Sequence, residues 1–379
     1  MKPMSDLNVM ERYAVAHLRR WSDREEPHIH RWSQADLAKI RRTERRKIAL
    51  ACLTGVMSGT IIGGAEIGLR GWLVEEGAAG WGQTLLYWSV FMGLAIAVSG
   101  VEILFLYWNV LRVAARLGSI AGLRFSDQEL DHVIAVGLSR GALEVPNPRE
   151  PIFGIDPYAN VPRWKLVAYA VLYRLKIGAT SFILRVLARR ILARAAVRFF
   201  IPLLAAPVYS AWNGIITWWV MRDVRLRIAG PVAVQELGEW LAAEATDLDE
   251  ATRRRIVEVA GEAIVLREDA HPNFVLLLAR LFDVLGVAPD SIDVDPERNR
   301  AALGRMDRRE QDLVLTTAMA ASVLAGRPRK AHRALLKELH EACGRSFHPQ
   351  ALSQWFEALF EGQGMKKAER PQQLLLFKL

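Results

Sequence analysis

A short segment in the first half of the chain has residue types that could form a hydrolase nucleophile. Residues 137–141 read GLSRG and match G-x-S-x-G, the pattern around the catalytic serine of α/β-hydrolases. That serine works on a sharp turn between a strand and a helix. Here Ser126 and Glu129 form a capping box that opens a helix to about residue 143, so Ser139 falls inside a helix. The sequence therefore predicts no nucleophile at Ser139.

Three residues in the last third of the chain have the types that ligate zinc. His340, Cys343 and His348 follow an H-x2-C-x4-H spacing, but a zinc site needs a fourth ligand. The other cysteine of the chain, Cys52, lies in an apolar run. The sequence also has neither a G-x-x-x-x-G-K-[ST] loop nor a G-x-G-x-x-G turn for a nucleotide phosphate. We therefore predict no metal, no cofactor and no enzymatic activity.

Two glutamates lie within long apolar runs, where an ionisable side chain is by default a candidate for an ion or proton path. Glu66 lies 18 residues, about 27 Å of helix, from the start of its run, and Glu102 lies equally far into the next run. The runs are expected to be antiparallel, so the two acids fall near opposite membrane faces. The sequence favours structural pairing, of Glu66 with Arg70 and of Glu102 with arginines further along the chain.

Glycines in the first apolar run form the strongest packing pattern in the sequence. Gly55, Gly59 and Gly63 are spaced four residues apart, and Gly64 and Gly68 form a second G-x-x-x-G pair. Glycine at this spacing leaves a groove into which another helix backbone can pack. We predict that the groove packs either against the second apolar run of the same chain or against another copy in a homo-oligomer.

Two apolar runs, 48–69 and 84–111, are each long enough to cross a hydrocarbon core of about 30 Å as a helix. Each contains a single charged residue. The connection between them has Arg70 as its one basic residue, whereas both outer flanks are crowded with arginine. The positive-inside rule therefore predicts a transmembrane hairpin with an external tip and cytosolic flanks.

A third apolar run, 199–221, has no charged residue but has arginine clusters on both sides. A single crossing would leave one of these clusters on the wrong side of the membrane. Pro202, Pro207 and the Asn213-Gly214 pair are expected to interrupt the helix. We therefore predict a re-entrant segment or helical hairpin with both ends cytosolic, and a true crossing is the alternative.

The stretch before this run, 163–198, is strongly basic and contains three consecutive 11-residue blocks that begin at Arg163, Arg174 and Arg185. Eleven residues advance a helix by about 20° past three turns, so these arginines share one face. We predict an interfacial helix whose basic side chains reach anionic lipid head groups. The arginines expected to make these contacts are Arg185, Arg189, Arg190, Arg194 and Arg198.

The net charge of +9 is the difference between 50 basic and 41 acidic residues, and it is unevenly distributed. Residues 112–227 carry 17 basic and 7 acidic groups, whereas residues 228–379 carry 20 and 23. The basic excess flanks the apolar runs, where lysine and arginine set topology and meet lipid phosphates. We therefore expect anionic lipid rather than nucleic acid as the partner of the basic segments.

Together these elements predict an all-α, multi-pass protein of the bacterial cytoplasmic (inner) membrane with both termini cytosolic. From residue 230 onward the pattern is helix after helix, with breaks at glycines and no strand alternation. The expected order is a cytosolic amphipathic helical arm (1–47), a transmembrane hairpin (48–111), a cytosolic helix and proline-rich loop (112–162), a basic interfacial helix with the third apolar run (163–227) and a cytosolic all-α domain (228–379).

Two functions fit this organisation. The first is a non-catalytic, membrane-tethered scaffold or adaptor whose cytosolic helical domain binds a protein partner of unknown identity. The alternative is a small oligomeric channel or transport component built from the glycine-rich hairpin. An enzyme ranks third, because the G-x-S-x-G match lies inside a predicted helix and the sequence has no nucleotide-binding loop.

Overall fold

The computed structural model describes residues 7–22, 29–73, 80–123, 125, 129–168 and 201–364. Of the described residues 77% are helical, and they form no strand beyond one isolated bridge between Ile152 and Ile155. The predicted all-α class is therefore confirmed. The helices are α1 (Val9–Ser22), α2 (Gln34–Leu73), α3 (Trp81–Ile120), α4 (Glu129–Ala142), α5 (Ile201–Glu244), α6 (Glu250–Val265), α7 (Pro272–Leu285), α8 (Pro296–Leu303), α9 (Arg308–Leu324), α10 (Lys330–Ala342) and α11 (Pro349–Phe360).

The chain divides into two compact units, neither of which is continuous in sequence. Unit 1 comprises Met1–Ile40, Ala114–Val161 and Arg222–Leu379, and unit 2 comprises Arg41–Val113 and Pro162–Met221. Helices α2, α3 and α5 each contribute residues to both units. The N-terminal arm and the segment after α3 therefore belong to the same unit as the C-terminal helices.

In unit 2, α2 and α3 form an antiparallel pair. Ile62 of α2 packs against Phe91 and Ala95 of α3 in a buried cluster. Nearer the beginning of α2, the Lys47 ammonium donates a hydrogen bond to Asn109 Oδ1 over 2.8 Å. Residue numbers rise along α2 as they fall along α3, so the two helices form a hairpin. Both are long and apolar enough to cross a membrane.

The third apolar run forms the first half of α5 and packs antiparallel to α2. A Cβ atom added to Gly55 would lie 2.6 Å from the carbonyl oxygen of Tyr209. One added to Gly59 would lie 2.6 Å from the Cα atom of Ala206. These distances are too short for any side chain, so the two helix backbones meet because glycine occupies both positions.

The predicted interruption of this third run is wrong. Residues 201–221 belong to a single helix of 44 residues that continues through Pro207 and the Asn213-Gly214 pair. Proline removes one backbone donor, and packing against neighbouring helices makes such a loss tolerable inside a long helix. Gly214 is a contact position rather than a turn, because a Cβ atom there would lie 2.6 Å from the Cys52 sulfur. No hairpin therefore forms within residues 201–221.

Part of the basic stretch lies outside the described residues. Residues 163–168 are helical, whereas 169–200 are not described. The predicted lipid contacts therefore also lie outside the described residues, and they stay predictions: Arg185, Arg189, Arg190, Arg194 and Arg198.

Unit 1 is organised around α9, which packs against α6, α7, α10 and α11. Val314, Ala318 and Ala321 of α9 are fully buried, and two of the three are small, which lets neighbouring helices approach. On another side of the unit, α4 packs against α1 and α7. The Arg140 guanidinium of α4 bonds the Glu11 carboxylate of α1 over 2.8 Å.

Local sequence explains where several helices of unit 1 begin. At the start of α6, Asp249 accepts a hydrogen bond from the backbone N–H of Thr252. At the start of α9, Asp307 and Glu310 form a reciprocal capping box. One helix boundary differs from the sequence analysis. Residue 230, where the sequence predicts a series of helices to begin, lies inside α5, and α8 is a short helix of 8 residues.

We expect Gly59→Ile to separate α2 from α5, because a side chain at this position meets the Ala206 backbone. Overpacking of this kind costs about 1–3 kcal/mol. The melting temperature of the full-length protein in mild detergent should therefore fall by several degrees. Gly64→Ile is the matched control, since no described atom lies within 4 Å of its Cβ position. Equal melting temperatures for the two variants would contradict the packing of α2 on α5.

Candidate functional site

The interior of unit 2 contains a hydrogen bond between polar side chains of two long helices. Asn213 of α5 donates from Nδ2 to Glu102 Oε1 of α3 over 2.5 Å. Asn213 is buried and Glu102 is half-buried. A charged side chain at the centre of a membrane helix costs about 2.5–3.5 kcal/mol, and a directed amide donor offsets part of that cost. The described partner of Glu102 is thus an amide, and the arginines expected as its partners lie mostly outside the described residues, so that pairing stays a prediction.

The other acid of the apolar runs, Glu66, lies at a different level of unit 2. The hydrogen bond between Lys47 and Asn109 marks one level of the α2–α3 pair. Glu102 is 7 residues from Asn109, and Glu66 is 19 residues from Lys47. At 1.5 Å per residue these separations are about 10 Å and about 28 Å along the helices. The structure therefore does not bring the two acids together.

The five glycines of the predicted packing groove do not share one contact. The first two contact α5, as described above, and Gly63 is buried. No described atom lies within 4 Å of a Cβ position at Gly64 or Gly68. Gly93, on the expected partner helix α3, also has no neighbour within 4 Å. Formation of a homo-oligomer through the open Gly64–Gly68 face stays a prediction.

The described outward faces of α2 and α3 in unit 2 are apolar. In the most apolar parts of α2 and α3, 33% and 17% of the residues are buried inside the protein. Large apolar side chains point outward instead, among them Val101 (70% exposed), Leu104 (62%) and Trp81 (95%). Contiguous exposed apolar surface of this extent is typical of contact with lipid or with another protein.

In unit 1 the G-x-S-x-G segment has a packing role. Ser139 is fully buried in α4, and its hydroxyl donates to the carbonyl oxygen of Val136 in the same helix over 2.8 Å. A Cβ atom at Gly137 would lie 2.8 Å from Pro272, and one at Gly141 would lie 2.9 Å from the Nε atom of an arginine on α5. The glycines therefore admit neighbouring elements, and Ser139 has no open face for a substrate.

That arginine, Arg227, connects α5 to several segments of unit 1. Its buried guanidinium donates to Asp223 Oδ2 (2.6 Å), to the carbonyl oxygen of Gly137 (2.8 Å) and to Asn147 Oδ1 (3.3 Å). Asn147 in turn donates to Asp269 over 2.9 Å, and burial raises the pKa of the Asp269 carboxyl. Because these groups satisfy one another's hydrogen bonds around the buried guanidinium, the cluster fits a structural network.

Desolvation favours the neutral form of two buried histidines. His332 Nε2 donates to the carbonyl oxygen of Ala263 (3.2 Å), and its Nδ1 accepts from the backbone N–H of Arg329 (3.3 Å). Burial, reinforced by the Arg267 charge, lowers the pKa of His332 to about 4. Burial also lowers the pKa of His271, the N-cap residue of α7, well below its ordinary value. Protonation of either ring would place a charge in the core.

Two of the H-x2-C-x4-H residues line a cleft of about 250 Å³ in unit 1. His340 Nδ1 donates to the carbonyl oxygen of Leu336 (2.6 Å), and His348 Nε2 lies 3.3 Å from Ser346 Oγ. Burial lowers the pKa of His340 and raises that of the Cys343 thiol. Within the described ranges, no three histidine, cysteine or acidic side chains are grouped so that they could hold a metal ion.

A larger groove of about 670 Å³ lies in unit 1 between α4, α7 and the segment 148–153. The residues that line it include charged ones, among them Arg140, Glu150 and Arg280. A concave surface with an apolar wall and a few polar groups is the usual form of a binding site. The apolar residues of the wall include Val133, Val136, Ile152, Phe153, Val275 and Phe282.

Phe153 adopts a strained backbone at the edge of this groove. Reciprocal backbone hydrogen bonds between Ile152 and Ile155 close a tight turn in which Phe153 and Gly154 have φ values of 49° and 84°. Left-handed backbone costs a residue with a side chain roughly 1–2 kcal/mol. The Phe153 ring is 40% exposed and meets Phe282 edge to face, with ring centroids 5.4 Å apart. Glu144 and Glu268 share this left-handed backbone, and Phe153 differs from them in that its aromatic side chain lines the groove.

Two buried carboxylates on α6 were not predicted from the sequence. Glu258 and Glu262 are one turn apart, and both are almost fully buried. Glu258 pairs with Arg255 (2.7 Å) and Arg298 (3.1 Å), and Glu262 pairs with Arg300 (3.2 Å). Burial raises the pKa of both carboxyl groups. The E-x-x-x-E spacing places both carboxylates on one helix face. Their arginine partners on α8 could be predicted only if α8 were known to face α6.

No family model, no curated protein and no solved structure matches this chain. Its function is therefore argued from the geometry of the two units.

We expect acidification to destabilise unit 1 through His332. Its pKa is lowered to about 4 in the folded chain, whereas an unfolded histidine titrates near 6.5, so the unfolded state binds the proton first as pH falls. The free energy of unfolding should fall by up to about 3 kcal/mol between pH 6.5 and pH 4 on account of this residue. Thermal melting of His332→Gln across that range should show a shallower pH dependence.

The control for this measurement is His348→Gln, because His348 is exposed. The buried His271 keeps part of the pH dependence in both variants. If His332→Gln follows the wild-type pH profile, burial does not hold this histidine neutral.

Proposed function

We propose that this chain is a non-catalytic bacterial cytoplasmic-membrane protein that carries a helical adaptor unit. In this proposal unit 2 is the membrane anchor, both termini are cytosolic, and unit 1 binds an apolar helical segment of a protein partner in the groove between α4 and α7. The observation that carries the proposal is Phe153, a strained and half-exposed aromatic residue on an apolar groove of about 670 Å³.

The anchor function is supported by the direction in which the side chains of α2 and α3 point. Both helices expose apolar residues along lengths that suffice to cross a membrane. Placed in water, this surface would cost roughly 25 cal/mol for each Å² that stays exposed. A hydrocarbon environment removes the cost without any change in the contacts within unit 2.

The choice of an apolar helix as the ligand of unit 1 follows from the charges around the groove. Arg140 pairs with Glu11, and Arg280 pairs with Asp283. Both arginines are thus paired within the chain, which favours the apolar wall as the surface that a partner contacts. Helices α4 and α7 flank the groove, and a third helix with apolar residues at i, i+3 or i+4, and i+7 can pack between two others.

Phe153→Gly separates a binding role from a folding role. Glycine adopts the left-handed backbone without strain, so the free energy of unfolding should stay equal or rise by up to about 1 kcal/mol. Loss of the ring should weaken partner binding by at least about tenfold if Phe153 is a binding anchor. We would measure the melting temperatures of the wild type and of Phe153→Gly. In native membranes we would place a photoreactive residue at position 275 of both proteins and measure its cross-linking to a partner.

Arg333, which is exposed outside the groove, provides the control position for the photoreactive residue. A discrete protein adduct that forms at position 275, not at 333, and is lost with Phe153→Gly supports the adaptor function. Equal adducts at both positions, or a Phe153→Gly variant that is destabilised and keeps its adduct, would contradict it.

A second candidate function, a transport component, is favoured by one observation. Glu102 is a carboxylate in an apolar helix, and its described partner is a neutral amide rather than a counter-ion. Intramembrane carboxylates of this kind serve proton and ion paths in many membrane proteins. In such a path Glu102 would exchange its bond with Asn213 for a bond with the passing ion.

Proton flux into liposomes that contain the full-length protein tests this second function. Glu102→Gln keeps the size of the side chain and a carbonyl acceptor but removes the charge, so flux through a Glu102 path should fall at least about tenfold. Glu66→Gln is the matched control, because Glu66 lies about 18 Å further along the helices. Flux equal to that of empty liposomes for the wild type would exclude a proton path.

A further inference from the structure

One exposed face of α2 changes from basic to apolar along its length. Arg42 and Arg46 lie on this face and are exposed. Beyond Arg46 the same face carries three exposed apolar side chains at successive turns: Ala49, Leu53 and Met57. Neither Arg42 nor Arg46 has an acidic partner within the described part of the chain. Their charges are therefore available to an external anion.

The exposed face of α3 shows the same change in the opposite chain direction. Val101 and Leu104 are followed at helical spacing by Trp108 and then by Arg112. The Arg112 guanidinium lies over the Trp108 ring at 4.6 Å from its centroid. Tryptophan and arginine in this order are typical of the level at which a membrane helix passes from hydrocarbon to head groups.

The two changes occur at the same level of unit 2. The hydrogen bond from Lys47 to Asn109 joins the residue after Arg46 to the residue after Trp108. The arginines of the two antiparallel helices are therefore aligned by a contact between the helices. This hydrogen bond, and not sequence composition alone, places the arginines at one level.

The opposite end of unit 2 lies one bilayer thickness away. Trp72 and Trp81 are 78% and 95% exposed. Trp72 is 25 residues from Lys47, which corresponds to about 38 Å of helix. A bilayer has a hydrocarbon core of about 30 Å and measures about 40–45 Å with its interfaces. The exposed faces therefore match a membrane with an arginine boundary at one side and a tryptophan boundary at the other.

We infer that Arg42, Arg46 and Arg112, with Trp108, form a binding surface for the phosphodiester head groups of anionic phospholipids. This inference rests on the proposed anchoring of unit 2 and adds the chemistry of the lipid that surrounds it. The head-group phosphate accepts from the guanidinium groups, which have no acidic partner among the described residues, and the acyl chains cover the apolar faces of α2 and α3. A lipid is favoured over a free phosphate because the arginines and the apolar surface are continuous on both helices.

The experiment uses the full-length protein in mild detergent and compares three probes: short-chain phosphatidylglycerol, short-chain phosphatidylcholine and inorganic phosphate. We would measure the probe concentration that gives half of the maximal rise in melting temperature. Phosphatidylglycerol should act at the lowest concentration. The variant Arg42→Gln/Arg46→Gln/Arg112→Gln should need about 100-fold more of it, because each arginine near an anionic surface is worth about fivefold. The effect should weaken at high salt.

The matched control removes three exposed arginines of unit 1 that also lack acidic partners among the described residues, and it should behave as the wild type: Arg305→Gln/Arg308→Gln/Arg333→Gln. Equal responses to phosphatidylglycerol and phosphatidylcholine would overturn the inference. So would a response to inorganic phosphate as strong as that to the lipid. Extraction of membranes at alkaline pH keeps this outcome separate from the proposed function: release of the wild-type protein would overturn the anchor itself, whereas retention without lipid preference would overturn the head-group surface alone.

Discussion

The close approach of α5 to α2 is the contact on which the arrangement of unit 2 depends. Lipid offers no hydrophobic reward for bringing membrane helices together, so association depends on close packing and on hydrogen bonds between helices. Gly55 and Gly59 provide the close packing, because they leave the backbone near Ala206 and Tyr209 in direct contact with α2. The bond from Asn213 to Glu102 then ties the same part of α5 to α3. The hydrogen bond requires α5 to lie in the groove that the glycines create.

In unit 1 the energetically unfavourable features are buried charges and one strained backbone position. Its buried charges have partners inside the unit: Arg227 bonds Asp223, and Glu262 bonds Arg300. A buried charge that lost its partner would cost several kcal/mol, so these pairs restrict which helix arrangements are possible. The strained residue Phe153 is at the surface, where its ring contacts Phe282. Reciprocal backbone hydrogen bonds between the buried residues Ile152 and Ile155 hold the turn that contains Phe153, so the turn imposes the strain while the ring stays at the surface.

The sequence was sufficient for the helical class, because apolar periodicity and capping residues are local. Asp307 and Glu310 mark the start of α9 without any knowledge of the fold. The partner of the Gly55–Gly59 groove could not be predicted, because a glycine pattern shows that a helix packs closely but does not identify its neighbour. The continuity of α5 was also missed. Pro207 and Asn213-Gly214 favour a turn in isolation, and only the contacts with α2 and α3 show why the helix continues.

The two candidate functions place different demands on Glu102. In an adaptor, the carboxylate needs one permanent donor, and Asn213 at 2.5 Å meets that need. In a transport component, the carboxylate must exchange this donor for an ion, so α3 and α5 must be able to separate locally. The glycine contacts oppose such a separation, because they fix the α5 backbone two turns or less from Asn213. A rigid attachment at this point suits an anchor better than a path that opens and closes, and for this physical reason the adaptor is the preferred function.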